Sequence, residues 1–142
     1  MSRITTLIVD DEPLARERVL RVLHRVAPRT QVYEAADGNS AVAKIQSLAL
    51  DAVLLDIEMP ARNGLDVVSA IGCDRMPPTI FITAYDEHAV AAFELAAIDY
   101  LLKPFDDQRF ETSWRRLEQR RAAGALAGEA RRDRLRWRAV RD

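Results

Sequence analysis

One cysteine in 142 residues is the first limit the chain sets. Cys73 has no intrachain partner for a disulfide, and a lone thiol fits a reducing cytoplasm. No N-terminal stretch joins a basic start to a long apolar run and a small-residue cleavage site. No apolar run approaches the ~20 residues that span a bilayer. The expectation is a cytoplasmic chain with no membrane segment. Aromatic residues are scarce at 6%, while 49% of residues are hydrophobic, so aliphatic side chains must fill the core. The length allows one domain plus a tail, or one domain with a long terminal helix. Charge is nearly balanced overall but unevenly placed: residues 1–110 carry a balance of −6 and residues 111–142 one of +5. An acidic body therefore carries a basic tail, for which a solvated helix or linker ranks above nucleic-acid contact.

What is present is an alternation of short apolar runs and helical patterns. Ile4 to Val9 reads as a strand that runs into Asp10-Asp11-Glu12. Pro13 then suits the first turn of a helix marked by Ala15, Val19, Val22, Leu23 and Val26. Gln31 to Ala35 is a second strand, Asp37-Gly38-Asn39 a turn, and Ala41, Val42, Ile45 and Leu48 a second helix. Ala52 to Leu55 is fully apolar, the pattern of a strand buried on both faces, and it ends at Asp56. Asn63-Gly64 opens a third helix, and Pro77-Pro78 breaks it. Thr79 to Thr83 is a fourth strand; Ala89, Val90, Phe93 and Ala97 mark a fourth helix. Tyr100 to Leu102 is a short fifth strand that stops at Lys103-Pro104-Phe105, and Phe110, Trp114 and Leu117 begin the fifth helix. Five strands alternating with five helices predict an α/β doubly wound, all-parallel sheet of flavodoxin-like order 2-1-3-4-5.

In that order the C-terminal ends of strands 1, 3, 4 and 5 meet at one edge, where ligands bind in open α/β sheets. They carry Asp10 and Asp11, Asp56, Thr83 and Lys103. Three converging carboxylates repel one another unless a hard divalent cation shares them, and Mg²⁺ takes oxygen ligands. A carboxylate beside Mg²⁺ can act as a nucleophile and form an aspartyl-phosphate. The transferring phosphoryl group needs positive partners and hydrogen-bond donors, which the cation, Lys103 and Thr83 supply. Each residue also has a plainer explanation. Asp56 could cap a loop, Asp10-Asp11-Glu12 could complement a helix dipole, Lys103-Pro104 could stop a strand, and Thr83 could be an ordinary β-branched strand residue. These explanations serve singly and fail to account for the set.

Asp10-Asp11, Asp56-x-x-Met59-Pro60, Thr83-Ala84 and Lys103-Pro104-Phe105 resemble the receiver domain of two-component response regulators. The resemblance runs from about residue 4 to about residue 120 and implies a receiver over 1–122. It makes Asp56 the phosphoacceptor and gives Mg²⁺ to Asp10, Asp11, Asp56 and the backbone carbonyl of Glu58. It pairs Lys103 with the phosphoryl group and makes Thr83 and Tyr100 the switch residues. It further implies a sensor histidine kinase as phosphodonor, and a homodimer on activation through the face of helix 4, strand 5 and helix 5. Asp11-Glu12-Pro13-Leu14-Ala15-Arg16 and Asp99-Tyr100-Leu101-Leu102-Lys103-Pro104-Phe105 are similar to the LytTR-type regulators, in which a β-rich DNA-binding domain follows. Residues 123–142 are then a basic linker or tail. Arg134 to Asp142 reads as the opening strand of an output domain absent from this chain, through which alone DNA would be contacted; the alternative is a receiver-only protein with a basic tail.

Rival functions are a phosphate-independent interaction module and an Asp-nucleophile phosphohydrolase. The intact acidic set opposes the first, and the lack of room for a substrate cap opposes the second. Gly124 and Gly128 predict a break near 122–130, since Gly costs about 1 kcal/mol relative to Ala in a helix interior. His24 and His88 are expected to be solvated, Trp114 to be packing, and Cys73 to be inert. Arg62 stands where the resembled family usually places an apolar residue, so the start of the third helix is open to change.

Overall fold

A computed structural model describes residues 4–95 and 97–141. Five strands form one parallel sheet: β1 (Thr5–Val9), β2 (Gln31–Ala35), β3 (Ala52–Leu55), β4 (Thr79–Thr83) and β5 (Asp99–Leu102), in the order β2-β1-β3-β4-β5. The helices between them are α1 (Pro13–Val26), α2 (Gly38–Ser47), α3 (Gly64–Ile71), α4 (Ala89–Glu94) and α5 (Asp107–Arg141). A 3-10 turn, Asp86–His88, leads into α4. The flavodoxin-like expectation holds strand by strand.

Helices cover both faces, so β3 and β4 are buried along their whole length, as unbroken apolar runs require. Alternate side chains feed two cores. Leu7, Val9, Val53, Leu55 and Phe81 pack with Ala41 and Ile45 of α2 and Val67 and Val68 of α3. Ile8, Leu54, Ile80, Ile82 and Leu101 pack with Val19, Val22 and Leu23 of α1 and Phe110, Trp114 and Leu117 of α5. Trp114 is fully buried packing, as its spacing from Phe110 predicted, and its ring stacks on Phe110 at 6.4 Å.

Local signals start the helices. Pro13 occupies the first turn of α1. The Asp37 side chain accepts from the Ser40 amide at α2. Asn63 and Asp66 close a reciprocal capping box at α3, the arrangement that satisfies two orphan amides at once. Arg62 leaves this start intact. Its side chain and carbonyl lie against Gly38, where a Cβ would come within 2.5 Å of the Arg62 carbonyl oxygen.

α5 is tied to β5 by a buried charge network. Asp99 is 8% exposed. Its carboxylate accepts from Ser113 Oγ at 2.6 Å, Arg116 Nη1 at 3.0 Å and Arg109 Nη1 at 3.1 Å. Burial works against ionisation here, but the hydrogen bonds from Arg109 and Ser113 outweigh it and hold the carboxyl below its ordinary 3.8.

Two expectations about the chain's end are overturned. α5 continues through Gly124 and Gly128 to Arg141, so there is no break near 122–130 and residues 134–141 are helical rather than a strand. The alanines, arginines and leucines around the two glycines are strong helix formers, and their summed preference offsets two local costs. Residue 142 lies outside the described residues. Among the described residues no helix is long and apolar enough to cross a membrane.

Candidate functional site at the C-terminal edge of the sheet

Parallel register brings the ends of β1, β3, β4 and β5 together. Val9 pairs with Leu55, and the Asp56 amide donates to the Val9 carbonyl at 2.9 Å, so Asp10 and Asp56 leave adjacent strands side by side. Asp10 is 3% exposed and Asp56 7%. One oxygen each from Asp10, Asp11 and Asp56 lies within 4.8 Å of the others. The three acids expected to converge therefore do so, in an all-oxygen set of the kind a hard divalent cation takes.

Lys103 reaches this group from the end of β5. Its Nζ donates to Asp10 Oδ2 at 2.8 Å and lies 3.5 Å from Asp56 Oδ2. Burial disfavours the ammonium, but the hydrogen bond to Asp10 and the charge of Asp56 outweigh it, so its pKa is raised. Asp56 has the opposite imbalance. Burial lifts its carboxyl from 3.8 to about 6, with Lys103 pulling it down, Asp10 pushing it up and the Glu58 amide pulling it down. One lysine cannot neutralise three carboxylates, which leaves room for a further cation.

Thr83 is fully buried at the end of β4, and its carbonyl accepts from the Lys103 amide at 2.7 Å. Its hydroxyl is 3.4 Å from the Tyr85 amide. Tyr100 is half-buried on β5, and its hydroxyl donates to the Tyr85 backbone carbonyl in the segment after Thr83. Burial raises the Tyr100 phenol, helped by nearby Asp86, Glu87 and Glu58, although a backbone contact at His88 opposes them. Thr83 and Tyr100 therefore both engage the β4–α4 connection, while Tyr100 makes its polar contact away from the acids. The Glu58 amide donates to Asp56 Oδ1 at 3.2 Å, which places that residue directly beside Asp56.

Several supporting residues carried no sequence signal, or a misleading one. Gly64 opens α3 against the back of the site: a Cβ there would stand 2.5 Å from the Asp56 carbonyl oxygen and 2.9 Å from Ile57 Cα. Arg16 Nη1 donates to the Asp10 carbonyl at 2.7 Å and so fixes the acidic loop to α1. His88, expected to be solvated, is half-buried and contacts the Glu58 carboxylate. His24 is exposed, and Cys73 is exposed and unpaired.

Comparison with known proteins identifies the family. The family model described as "Response regulator receiver domain" matches residues 6–115. The transcriptional regulatory protein BtsR of Salmonella typhi is 42% identical over 119 residues, which are 84% of this chain and 50% of that protein. The response regulatory domain of mrkE from Klebsiella pneumoniae superposes with a TM-score of 0.74 at 31% identity, covering 84% of this chain and 99% of that one. The response regulator TrrA of Thermotoga maritima, solved in complex with Mg(2+)-BeF, gives a TM-score of 0.72 at 31% identity over 80% of this chain and 98% of its own. The chain belongs to the response regulator receiver domain family. It spans about half the length of the curated relatives it matches.

Proposed function

We propose that the chain is the phosphoacceptor switch of a two-component signalling system, with Asp56 as the residue phosphorylated by a sensor histidine kinase. The observation that carries this reading is the convergence of Asp10, Asp11 and Asp56, bridged by Lys103, at one sheet edge. Near neutral pH a carboxyl with a pKa of about 6 is mostly ionised. An Asp56 oxygen forms the new O–P bond as the N–P bond to the donor histidine breaks. Asp10, Asp11, Asp56 and the Glu58 backbone carbonyl would hold Mg²⁺, and the all-oxygen donor set fits that ion. Bound there, it would offset the charge of the transferring phosphoryl group. Lys103 supplies a fixed positive charge beside Asp56. The chain acts on itself only, so it is a switch and not an enzyme with turnover.

Phosphorylation adds charge and acceptor oxygens at a site that is already negative. Thr83 and Tyr100 read that change through the β4–α4 connection, and the α4–β5–α5 face passes it on by a shift between two states. Homodimerisation on that face would follow. Residues 1–122 then form the receiver and 123–142 a basic linker to a DNA-binding output domain, in a cytoplasmic regulator of transcription. The transcriptional role named for BtsR and the half-length match support this division.

The test is the intact mass of the protein after incubation with Mg²⁺ and a small-molecule phosphodonor. One phosphate adduct that fails to form without Mg²⁺, with an increase in sedimentation coefficient, is the expected result. Steady hydrolysis of phosphate esters would replace the switch with a phosphohydrolase. No adduct under any condition would leave a phosphate-independent module.

A further inference from the structure

A second group of ligating side chains stands outside the acidic set. Glu58 lies in the segment after β3, and Glu87 and His88 lie in the 3-10 turn before α4. Each offers one ligand atom, and the three atoms lie within 4.8 Å of one another. His88 Nε2 contacts the Glu58 carboxylate and is 3.7 Å from the Glu87 carboxylate. β3 and β4 are neighbours in the sheet, so two chain segments far apart in sequence deliver these groups to one place.

We propose that Glu58, Glu87 and His88 form a second cation site, selective for a borderline divalent ion, Zn²⁺, over Mg²⁺. Zinc accepts imidazole nitrogen and carboxylate oxygen together, and three protein ligands leave a fourth position for water. Mg²⁺ prefers oxygen ligands alone, so the acidic set and this one sort the two ions by ligand type. Charge points the same way. Among the described residues neither Glu58 nor Glu87 is paired with a lysine or arginine, and the two carboxylates share one imidazole. Whether that ring is neutral or charged, the group is net negative, and a divalent cation offsets it. Access is adequate as well: the His88 side chain is 23% exposed and that of Glu58 45%.

Glu58 takes part twice. Its amide touches the Asp56 carboxylate, while its side chain turns to His88. Zn²⁺ on the side chains would staple the β3–α3 loop to the β4–α4 turn, the turn whose Tyr85 carbonyl accepts from Tyr100. The ion would thus restrain the segments that move in a switch, without occupying the phosphorylation site.

The experiment is calorimetric titration of Zn²⁺ into the full chain in excess Mg²⁺, which keeps the acidic set filled, repeated with His88→Ala, Glu87→Gln and Asp11→Asn. Co²⁺ absorption in the same buffer reports the nitrogen ligand directly. One equivalent of Zn²⁺ is expected. His88→Ala and Glu87→Gln should weaken it by more than about tenfold, the loss that even supporting partners of a metal site produce. Asp11→Asn should leave it unchanged. His88 and Glu87 lie on a surface turn, and far-ultraviolet circular dichroism checks that both variants fold. No Zn²⁺ binding in excess Mg²⁺, or binding indifferent to His88→Ala, would overturn the proposal.

Discussion

Replacing Asp56 by asparagine should stabilise the protein in the absence of metal, and only above the acid range. The native carboxyl is raised from 3.8 to about 6, with burial the largest cause. The folded state therefore binds this proton more tightly than the unfolded chain does. Stability then falls as pH rises from about 4 to about 6 and stays low above that window. A rise of this size corresponds to about 3 kcal/mol against the ionised form. Asparagine has nearly the same shape and no charge, and the net rise already includes the attraction of Lys103, so the gain is about 2–3 kcal/mol. In a domain of this size that is roughly 5–8 °C in Tm. Thermal and urea melts in a chelator at pH 4 and pH 8 measure it. The variant should match the wild type at pH 4 and exceed it at pH 8, and Mg²⁺ should then stabilise the wild type more than the variant. Equal stabilities at pH 8, or the same gap at both pH values, would refute the claim that burial and Asp10 press on Asp56.

Three other substitutions probe the supports. Gly64→Ala puts a methyl group 2.5 Å from the Asp56 carbonyl oxygen; it should cost about 1–3 kcal/mol in urea melts and slow adduct formation from a small phosphodonor. Lys103→Ala leaves two buried carboxylates without their shared cation, so the metal-free protein should lose about 3 kcal/mol, with slower adduct formation even in saturating Mg²⁺. Asp99→Asn removes the negative charge and one of the two acceptor oxygens that face Arg109, Ser113 and Arg116 and should cost about 3 kcal/mol at pH 7. Because the native Asp99 carboxyl lies below 3.8, its contribution is present above that value and lost beneath it. The Asp99→Asn variant and the wild type should therefore converge in urea melts at the lowest pH.

Much of the site was legible because strand ends carry it. An unbroken apolar run at Ala52–Leu55, bounded by turn signals, reads as an interior strand, and strand order then sets Asp56 beside Asp10 and within reach of Lys103. The fold followed from the same alternation. What was not legible depends on contact rather than pattern. Gly64 reads as half of a turn signal, yet its lack of a Cβ is what lets α3 approach the Asp56 backbone. His88 reads as a surface histidine because its partner is thirty residues away on another strand's loop. Asp99 reads as a polar residue before a strand, while its burial is compensated by three side chains one to two turns apart on α5. Gly124 and Gly128 misled in the other direction, since a local cost was weighed without the helix formers on both sides.

The central claim is that Asp56 itself carries the phosphoryl group. After phosphorylation with Mg²⁺ and a small phosphodonor, borohydride reduction converts an aspartyl-phosphate to homoserine, and peptide mass spectrometry locates it. Homoserine is expected at position 56 alone, and at no position when Mg²⁺ is withheld. Homoserine at Asp10 or Asp11, or an adduct that survives Asp56→Asn unchanged, would contradict that claim.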